Sequence, residues 1–365
     1  MKRTIVLLLF CTVLCALPVR AVDVAGEQAR EFGLDALEEG LAGSAADLPD
    51  GCTPYDPGDF GEGAQKILGD VLAGSGPPLR AALRTAVSIM AVVLLSAVVT
   101  QMDSVCSRRT VLLAGALTIA LLSVGSVRSM IGLGRETMQE LQSFTALLLP
   151  VLASATAAGG GAGAGSAIYA GTVFVTNILA GLINRLLMPL LYVYLALGTA
   201  NAVLGEKTLE RLQAFCRRLI TFSLKGVVFL FTAYLSLSGL LASSGDSLAM
   251  KAAKLTVSSA VPVVGGMLSD ASATVLLSAQ TLKNAVGVFG MLAVLAICLA
   301  PLIRIGLQAV VLRLTAAACG AVGDASLIGL IETAADAMSF LVGMTGAGGF
   351  MLLISCVSSV RAVTP

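Results

Sequence analysis

The sequence contains no histidine and no tryptophan, and only 12% of its 365 residues carry a charge. The lack of histidine removes the commonest general base and the commonest metal ligand. The lack of tryptophan leaves five tyrosines to form any aromatic belt at a membrane surface. Soluble domains contain about 25% charged residues. Because 57% of this chain is hydrophobic, we predict an integral membrane protein.

Sequence motifs of enzymes are also missing. None of the eight cysteines belongs to a CxxC pair, and no GxSxG motif of a serine nucleophile is present. Asp103, Asp246 and Asp270 are dispersed along the chain. A glycine-rich run at residues 159–165 lacks the lysine of a phosphate-binding loop and is predicted to be a flexible hairpin. We predict no catalytic residue, no cofactor and no metal site.

The N-terminal residues have the pattern of a secretory signal. A short basic start is followed by an apolar core at residues 5–17 and by small residues before a cleavage site after Ala21. An uncleaved anchor is the alternative, because Arg20 is unusual so near the site. The sequence thus divides into a signal peptide at residues 1–21, an outer segment at 22–79 and a membrane domain at 80–365.

The outer segment is acidic and predicted to lie outside the cytoplasm. Residues 22–79 contain twelve acidic and two basic side chains. This charge argues against nucleic-acid binding, which needs a basic surface. The segment has too few large apolar residues to build a core alone. We expect it to be partly disordered, or ordered only on a partner or on the membrane domain.

Apolar runs in the membrane domain predict an all-α, polytopic protein with eight or nine spanning helices, since each span needs about 20 residues. The predicted spans are 81–101, 111–131, 142–158, 167–184, 186–204, 222–242, 285–303, 305–322 and 338–360. Residues 305–322 are uncertain because Arg313 near the bilayer centre would cost at least about 2.5–3.5 kcal/mol. They could instead lie along the membrane surface. Asp324, Glu332 and Asp336 are predicted to form an acidic loop.

Basic residues predict the orientation of the spans. Arg108, Arg109 and the basic stretch at 207–218 are placed in the cytoplasm. With nine spans the loop with Asp324 is outside and the C-terminus is inside, whereas with eight spans the C-terminus is outside. Residues 206–220 also have the pattern of a basic amphipathic helix, which would lie on a membrane surface or bind a partner. A basic loop that only sets topology would explain the same charges.

Residues 258–290 interrupt the apolar pattern and are predicted to be a broken, re-entrant segment at the centre of the bundle. Pro262 removes a backbone donor, and Gly265 and Gly266 loosen the helix. Ser269 and Asp270 are predicted to cap a second helix at 271–282. Irregular backbone inside a membrane must be covered by protein or line a cavity. The structural or gating candidates are Pro262, Gly265, Gly266, Asp270, Lys283, Asn284 and Arg313.

The same segment carries a family resemblance. Residues 259–266 read SAVPVVGG, residues 268–271 read LSDA, and residues 282–287 read LKNAVG. These runs resemble the stage III sporulation protein AE family of endospore-forming bacteria. The resemblance implies a membrane component of a channel or secretion-like complex in the mother-cell membrane around the engulfed forespore. It also implies other stage III sporulation membrane proteins, ring-forming components and an ATPase as partners.

Two other functional classes compete with this one. A small-molecule or ion transporter could use polar groups such as Asn177, Asn201 and Asp270 near residues 258–290. Against it, Asp270 is explained as a helix cap, Lys283 can extend from a helix end towards water, and no second broken helix is present. An intramembrane enzyme lacks its motifs. A structural subunit that binds membrane lipid and protein partners, but no nucleic acid, explains the sequence best.

Overall fold

The computed structural model describes residues 33–42, 48–49, 51–101, 107–158, 171, 174–175, 177–179, 181–204, 207–260 and 265–361. Within these ranges it describes side chains except at positions 35, 42, 158, 207, 235–276 and 358–361. The predicted signal peptide, the glycine-rich run at 159–165 and Pro262 lie outside the described residues. So do eight of the eighteen residues of the predicted span at 167–184.

The described residues are helical and contain no strand. The two short helices of the outer segment come first, and six longer elements follow. They are α1 (Leu34–Ala42), α2 (Phe60–Ala73), α3 (Gly76–Gln101), α4 (Arg108–Ala158), a π-helical turn (Ile183–Leu187) that continues into α5 (Met188–Leu204), α6 (Lys207–Ala260), α7 (Gly265–Cys319) and α8 (Ala325–Arg361).

Five helical segments in the described part are long and apolar enough to cross a membrane. They are Gly76–Gln101, Arg108–Ala157, Asn177–Leu204, Leu277–Cys319 and Ala325–Val357. The prediction of eight or nine spans is not confirmed. The predicted spans 111–131 and 142–158 both lie on α4, and the predicted spans 285–303 and 305–322 both lie on α7. A continuous helix cannot reverse direction, so each of these two pairs can supply only one crossing.

The broken segment also differs from its prediction. Residues 265–270 are helical, and α7 begins at Gly265 instead of Ala271. An N-cap residue has non-helical backbone angles, so Asp270 is not the cap of a new helix. The interruption lies between the end of α6 at Ala260 and the start of α7. Each of these helices has more than 50 residues. The described part of the segment thus belongs to two long helices, and the predicted re-entrant segment is not confirmed.

Helix α8 lies in the middle of the bundle, and its glycines allow close packing. A Cβ built at Gly349 would lie 2.6 Å from Cys298 Sγ on α7, and one built at Gly348 would lie 2.9 Å from Met138 Sδ on α4. A Cβ built at Gly343 would lie 2.9 Å from the side chain of Leu224 on α6. These glycines therefore let α4, α6 and α7 approach α8 closely.

One end of the bundle, which we name the basic end, is formed where α3, α5 and α7 finish and α4, α6 and α8 begin. Arg108 at the start of α4 makes a 2.9 Å ion pair with Asp324, which precedes α8. A small cavity places Leu204 at the end of α5 beside Arg108 and Ser326. The nine-span orientation, which put Arg108 and Asp324 on opposite sides of the membrane, is therefore wrong.

A second group of charges lies on α4 and α7, away from the ends of both helices. We name it the charged band, and it comprises Arg135, Glu136 and Glu140 on α4 with Arg304 on α7. A Cβ at Gly134 would lie 3.8 Å from Ile305, so the two helices bring these charges to one level. From Arg108 to Gly134 α4 rises roughly 39 Å, close to the ~40–45 Å thickness of a bilayer with its headgroups.

Beyond the charged band, α1 and α2 pack on the bundle. Leu34 and Leu37 of α1 are fully buried, and Gly40 lies against Leu147 of α4. Ile67 of α2 is buried with Leu292 and Ala296 of α7. The outer-segment helices are thus ordered on the half of the bundle that is distant from the basic end.

Candidate functional site: a polar cleft between three helices

A cleft of about 590 Å³ opens between α5, the start of α6 and the start of α8, next to the basic end. Its walls are unusually polar for helices of this composition, since a bilayer disfavours polar groups that lack partners. The polar lining consists of Tyr194, Asn201, Glu210, Gln213, Arg217, Ser326, Glu332, Thr333 and Asp336.

Helical spacing places these side chains in the cleft. Gln213 and Arg217 are four residues apart on α6, and Glu332 and Asp336 are four residues apart on α8, so each pair shares one helix face. The predicted acidic loop is thus wrong at Glu332 and Asp336, because α8 begins at Ala325. The spacing of four residues in the sequence is the signal that could have identified the helix.

Asp336 is the centre of the polar network. Its carboxylate lies 3.2 Å from Arg217 Nη1 and 3.6 Å from Arg313 Nη2. The Tyr194 hydroxyl donates to Asp336 Oδ2 at 3.3 Å. One carboxylate therefore connects α5, α6, α7 and α8 and faces two guanidinium groups. Glu210 and Glu332 add two more carboxylates to the lining of the cleft.

Neighbouring contacts hold the network in place. Arg313 Nη2 also donates to Ser339 Oγ at 2.9 Å. Gln213 Nε2 donates to Thr333 Oγ1 at 2.9 Å. The ring of Tyr194 packs edge-on against Phe340 with a centroid distance of 5.7 Å. Gly198 lies beside Thr333 and Gln213, which lets α5 approach this contact closely.

At the basic end, Asp324 caps α8. Its Oδ1 accepts a 3.0 Å hydrogen bond from the Ser326 backbone N–H, as an N-cap residue does. Burial alone would raise the pKa of the Asp324 carboxyl, but hydrogen bonds from Ser326 and Arg108 outweigh this effect. The net pKa lies below its ordinary value of 3.8. Ionised Asp324 is therefore favoured by the folded protein.

The predicted candidates do not form one site. Arg313 belongs to the network around Asp336, which supplies a carboxylate for its guanidinium group. Lys283 is only 1% exposed in the interior of α7, so the expectation that it extends from a helix end towards water is wrong. Asn284 is exposed on the same helix, and Gly265, Gly266 and Asp270 lie in its first turns. From Asp270 to Arg313, α7 rises roughly 65 Å.

Sequence reasoning missed Tyr194, Gln213, Arg217 and Asp336 as a group. Arg217 and Asp336 come from helices far apart in the sequence, so their pairing depends on how α6 packs against α8. Intramembrane charges of opposite sign were the available signal. Groups of three or more cysteine, aspartate or glutamate side chains that could hold a metal ion do not occur among the described residues.

The helices and the cleft define a class of protein. A helical bundle with five apolar helices of spanning length is typical of a polytopic membrane protein. Residues 56–362 match the family profile of stage III sporulation protein AE. The chain therefore belongs to the stage III sporulation protein AE family, which confirms the resemblance read from the sequence.

A curated relative is stage III sporulation protein AE of Bacillus subtilis (strain 168). It is 24% identical to this chain over 239 residues, which cover 66% of this chain and 60% of the relative. The match thus spans less than two thirds of the relative's length. No solved structure matches the chain.

Proposed function

We propose that this chain is a membrane component of a sporulation-specific channel or secretion-like complex that links mother cell and forespore. The observation that carries the proposal is the family match over residues 56–362. The five apolar helices of spanning length support a place in a membrane. In this role the protein is required for spore development after engulfment, and it acts as a structural subunit and not as an enzyme.

The proposed location is the mother-cell membrane that surrounds the forespore. The basic end faces the mother-cell cytoplasm, because Arg108, Arg109 and the start of α6 carry the basic residues that favour that side. The outer segment with α1 and α2 then lies outside the cytoplasm. Other stage III sporulation membrane proteins, ring-forming components and an ATPase are the proposed partners, and the ATPase would reach the complex at the basic end.

A transporter is the second candidate function, and the polar cleft is the observation that favours it. The cleft lies within helices of spanning length and is lined by Asn201, Arg217 and Asp336. A transporter predicts that a polar solute enters this cleft. A structural subunit predicts that the network around Asp336 only fixes the arrangement of α5, α6, α7 and α8.

The test is chemical cross-linking and co-purification from sporulating cells, together with deletion of the gene. We expect normal vegetative growth, a block in spore development after engulfment, and specific co-isolation of ring-forming and ATPase components. A lone protein that gives saturable uptake of a solute in liposomes would support the transporter. A defect in vegetative growth with normal sporulation would contradict the proposed role in sporulation.

A further inference from the structure

The exposed face of α6 carries cations and phenylalanines in strict alternation. The residues are Arg211, Phe215, Arg218, Phe222, Lys225 and Phe229. Their spacing alternates between four and three residues, which places all six on one side of a helix. The side chains of Phe215, Phe222 and Phe229 are 59%, 75% and 75% exposed. The three cations are exposed as well. We name this surface the Arg–Phe face.

The depth of the Arg–Phe face follows from contacts of α6 with its neighbours. Near its start, Gln213 bonds to Thr333, which lies nine residues beyond Asp324, or roughly 14 Å along α8. Further along, Leu224 lies against Gly343 of α8. Gly134 of α4, at the charged band, lies near Leu341 and Thr345 of α8. Lys225 therefore lies at the level of the charged band, and Arg211 lies nearer to the basic end.

Arg218 lies midway between these two levels. It is seven residues from both Arg211 and Lys225, which is roughly 10 Å along the helix in each direction. The outer two cations can reach headgroups at the two membrane surfaces. A cation midway between them faces hydrocarbon if lipid covers the helix, which is strongly unfavourable. This cost argues that protein covers Arg218.

The carboxylates among the described residues do not supply a counter-charge for these three cations. Among the residues that the structure describes, no carboxylate forms an ion pair with Arg211, Arg218 or Lys225. Asp336, the nearest carboxylate in depth, already pairs with Arg217 and Arg313. Glu210, Glu332 and Asp336 place three carboxylates in the polar cleft, so the uncompensated positive charge lies on the Arg–Phe face. A partner that balances it has to bring negative charge there.

We propose that the Arg–Phe face binds a membrane-spanning helix of another polypeptide, and that this helix presents an aspartate or glutamate to Arg218. The phenylalanines suit such an interface, since aromatic anchors contribute much of the binding energy at interfaces. Arg218 can hold a carboxylate with two parallel hydrogen bonds. The inference rests on the proposed function in one respect, because it requires that the protein works in an assembly.

The experiment uses Arg218→Lys in the full-length protein, in membranes of sporulating cells. The substitution keeps the positive charge and supplies an amine, which a membrane-permeant carbodiimide joins to a carboxylate in direct contact. We expect an amide between position 218 and an acidic residue in a membrane helix of a different polypeptide. Arg128→Lys, an exposed position on α4, is the matched control and should give no such product.

Arg218→Leu provides a second readout. Leucine cannot pair with the acidic residue of the partner helix. The partner polypeptide should therefore no longer co-purify and spore yield should fall, while the protein itself still accumulates. A lipid-covered position would tolerate or favour leucine. The inference fails if Arg218→Leu sporulates and co-purifies normally. It fails also if position 218 joins only to peptides of a second copy, or if a photoreactive residue at Phe222 labels only lipid. These failures leave the proposed function intact if the ring-forming and ATPase components still co-isolate.

Discussion

At the residue scale, Asp336 has the largest structural role of any side chain in the cleft. It is a single carboxylate, 20% exposed, between two arginines whose side chains are each 60% exposed. Because the arginines are largely exposed, each pair alone contributes little. Their joint effect is to fix α6 and α7 relative to α8, and the Tyr194 hydroxyl adds α5 to the same point.

We therefore expect Asp336→Asn to lower thermal stability by about 1 kcal/mol, the upper end for exposed ion pairs, because two guanidinium groups lose their counter-charge. Asp336→Glu should restore part of the loss. Glu332→Gln is the matched control, since Glu332 lines the same cleft and is exposed. Unfolding of the detergent-solubilised protein would be followed by heating. Equal melting temperatures for Asp336→Asn and Glu332→Gln would contradict the role of Asp336.

Asp324 gives a prediction for pH. Its pKa is lower in the folded protein than the ordinary value of 3.8. A lowered pKa contributes stability that is present above the unfolded pKa and is lost as pH falls through the folded pKa. Asp324→Asn keeps the cap but removes the charge. Its stability deficit should be constant near neutral pH and shrink below pH 3.8, as measured by thermal melting over a pH series. A deficit that grows in acid would contradict the assignment.

At the element scale, α8 depends on small residues where it meets its neighbours. Gly349 is the tightest of these positions, because a Cβ there would lie 2.6 Å from Cys298 Sγ. We expect Gly349→Ala to destabilise the protein by about 1–3 kcal/mol, as overpacked cores do. Gly306→Ala on α7 has open space around it and should gain up to about 1 kcal/mol from helix propensity. Melting temperatures that move together would contradict this packing.

The start of α7 gives a second element-scale prediction. Because the backbone at Asp270 is helical, no cap is lost in Asp270→Ala, and alanine favours a helix by up to about 0.7 kcal/mol over aspartate. The variant should accumulate and sporulate normally. Gly265→Leu and Gly266→Leu test whether the helix start also needs small residues. A loss of spore yield in Asp270→Ala and in Asp270→Asn alike would instead indicate a role for the carboxylate.

The sequence predicts some elements well and others poorly, for physical reasons. Residues 81–101 match α3 because an uncharged apolar run of bilayer length has few alternatives. Arg135, Glu136 and Glu140 suggest a boundary between two spans, yet α4 continues through them. A helix makes its backbone hydrogen bonds internally, so charged side chains need not interrupt it when they lie at a membrane surface. The two glycines at the start of α7 are likewise weaker helix breakers than expected.

The polar cleft cannot be predicted from local sequence patterns, because it depends on how distant helices pack. Arg313 can be recognised because an arginine in an apolar run requires a partner. The partner Asp336 cannot be chosen from the sequence, since the pattern there predicts a loop and several other carboxylates compete for the role. Tyr194 and Gln213 carry no special signal in the sequence. Their role arises only from the packing of α5 and α6 against α8.

At the scale of the whole molecule, the helices are longer than a membrane is thick. Helix α4 has 51 residues, or roughly 77 Å, against a hydrocarbon core of about 30 Å. The charged band divides it near its middle. The half next to the basic end has the length of a bilayer. The other half carries α1 and α2 of the outer segment, so we expect it to extend from the membrane into the extracytoplasmic space.

Labelling of single cysteines tests this division against the alternating spans read from the sequence. In a cysteine-free protein in intact cells, an impermeant maleimide should label Asp56→Cys and should not label Arg109→Cys at the basic end. Alternating spans return residue 157 to the cytoplasm, whereas the continuous α4 leaves it outside. Because Ala157 is exposed, we expect Ala157→Cys to be labelled as strongly as Asp56→Cys. Leu121→Cys, 77% exposed but within the bilayer half, should stay unlabelled because lipid covers it. Protection at position 157, followed by labelling once the cells are made permeable, would show that α4 does not cross the membrane in this way.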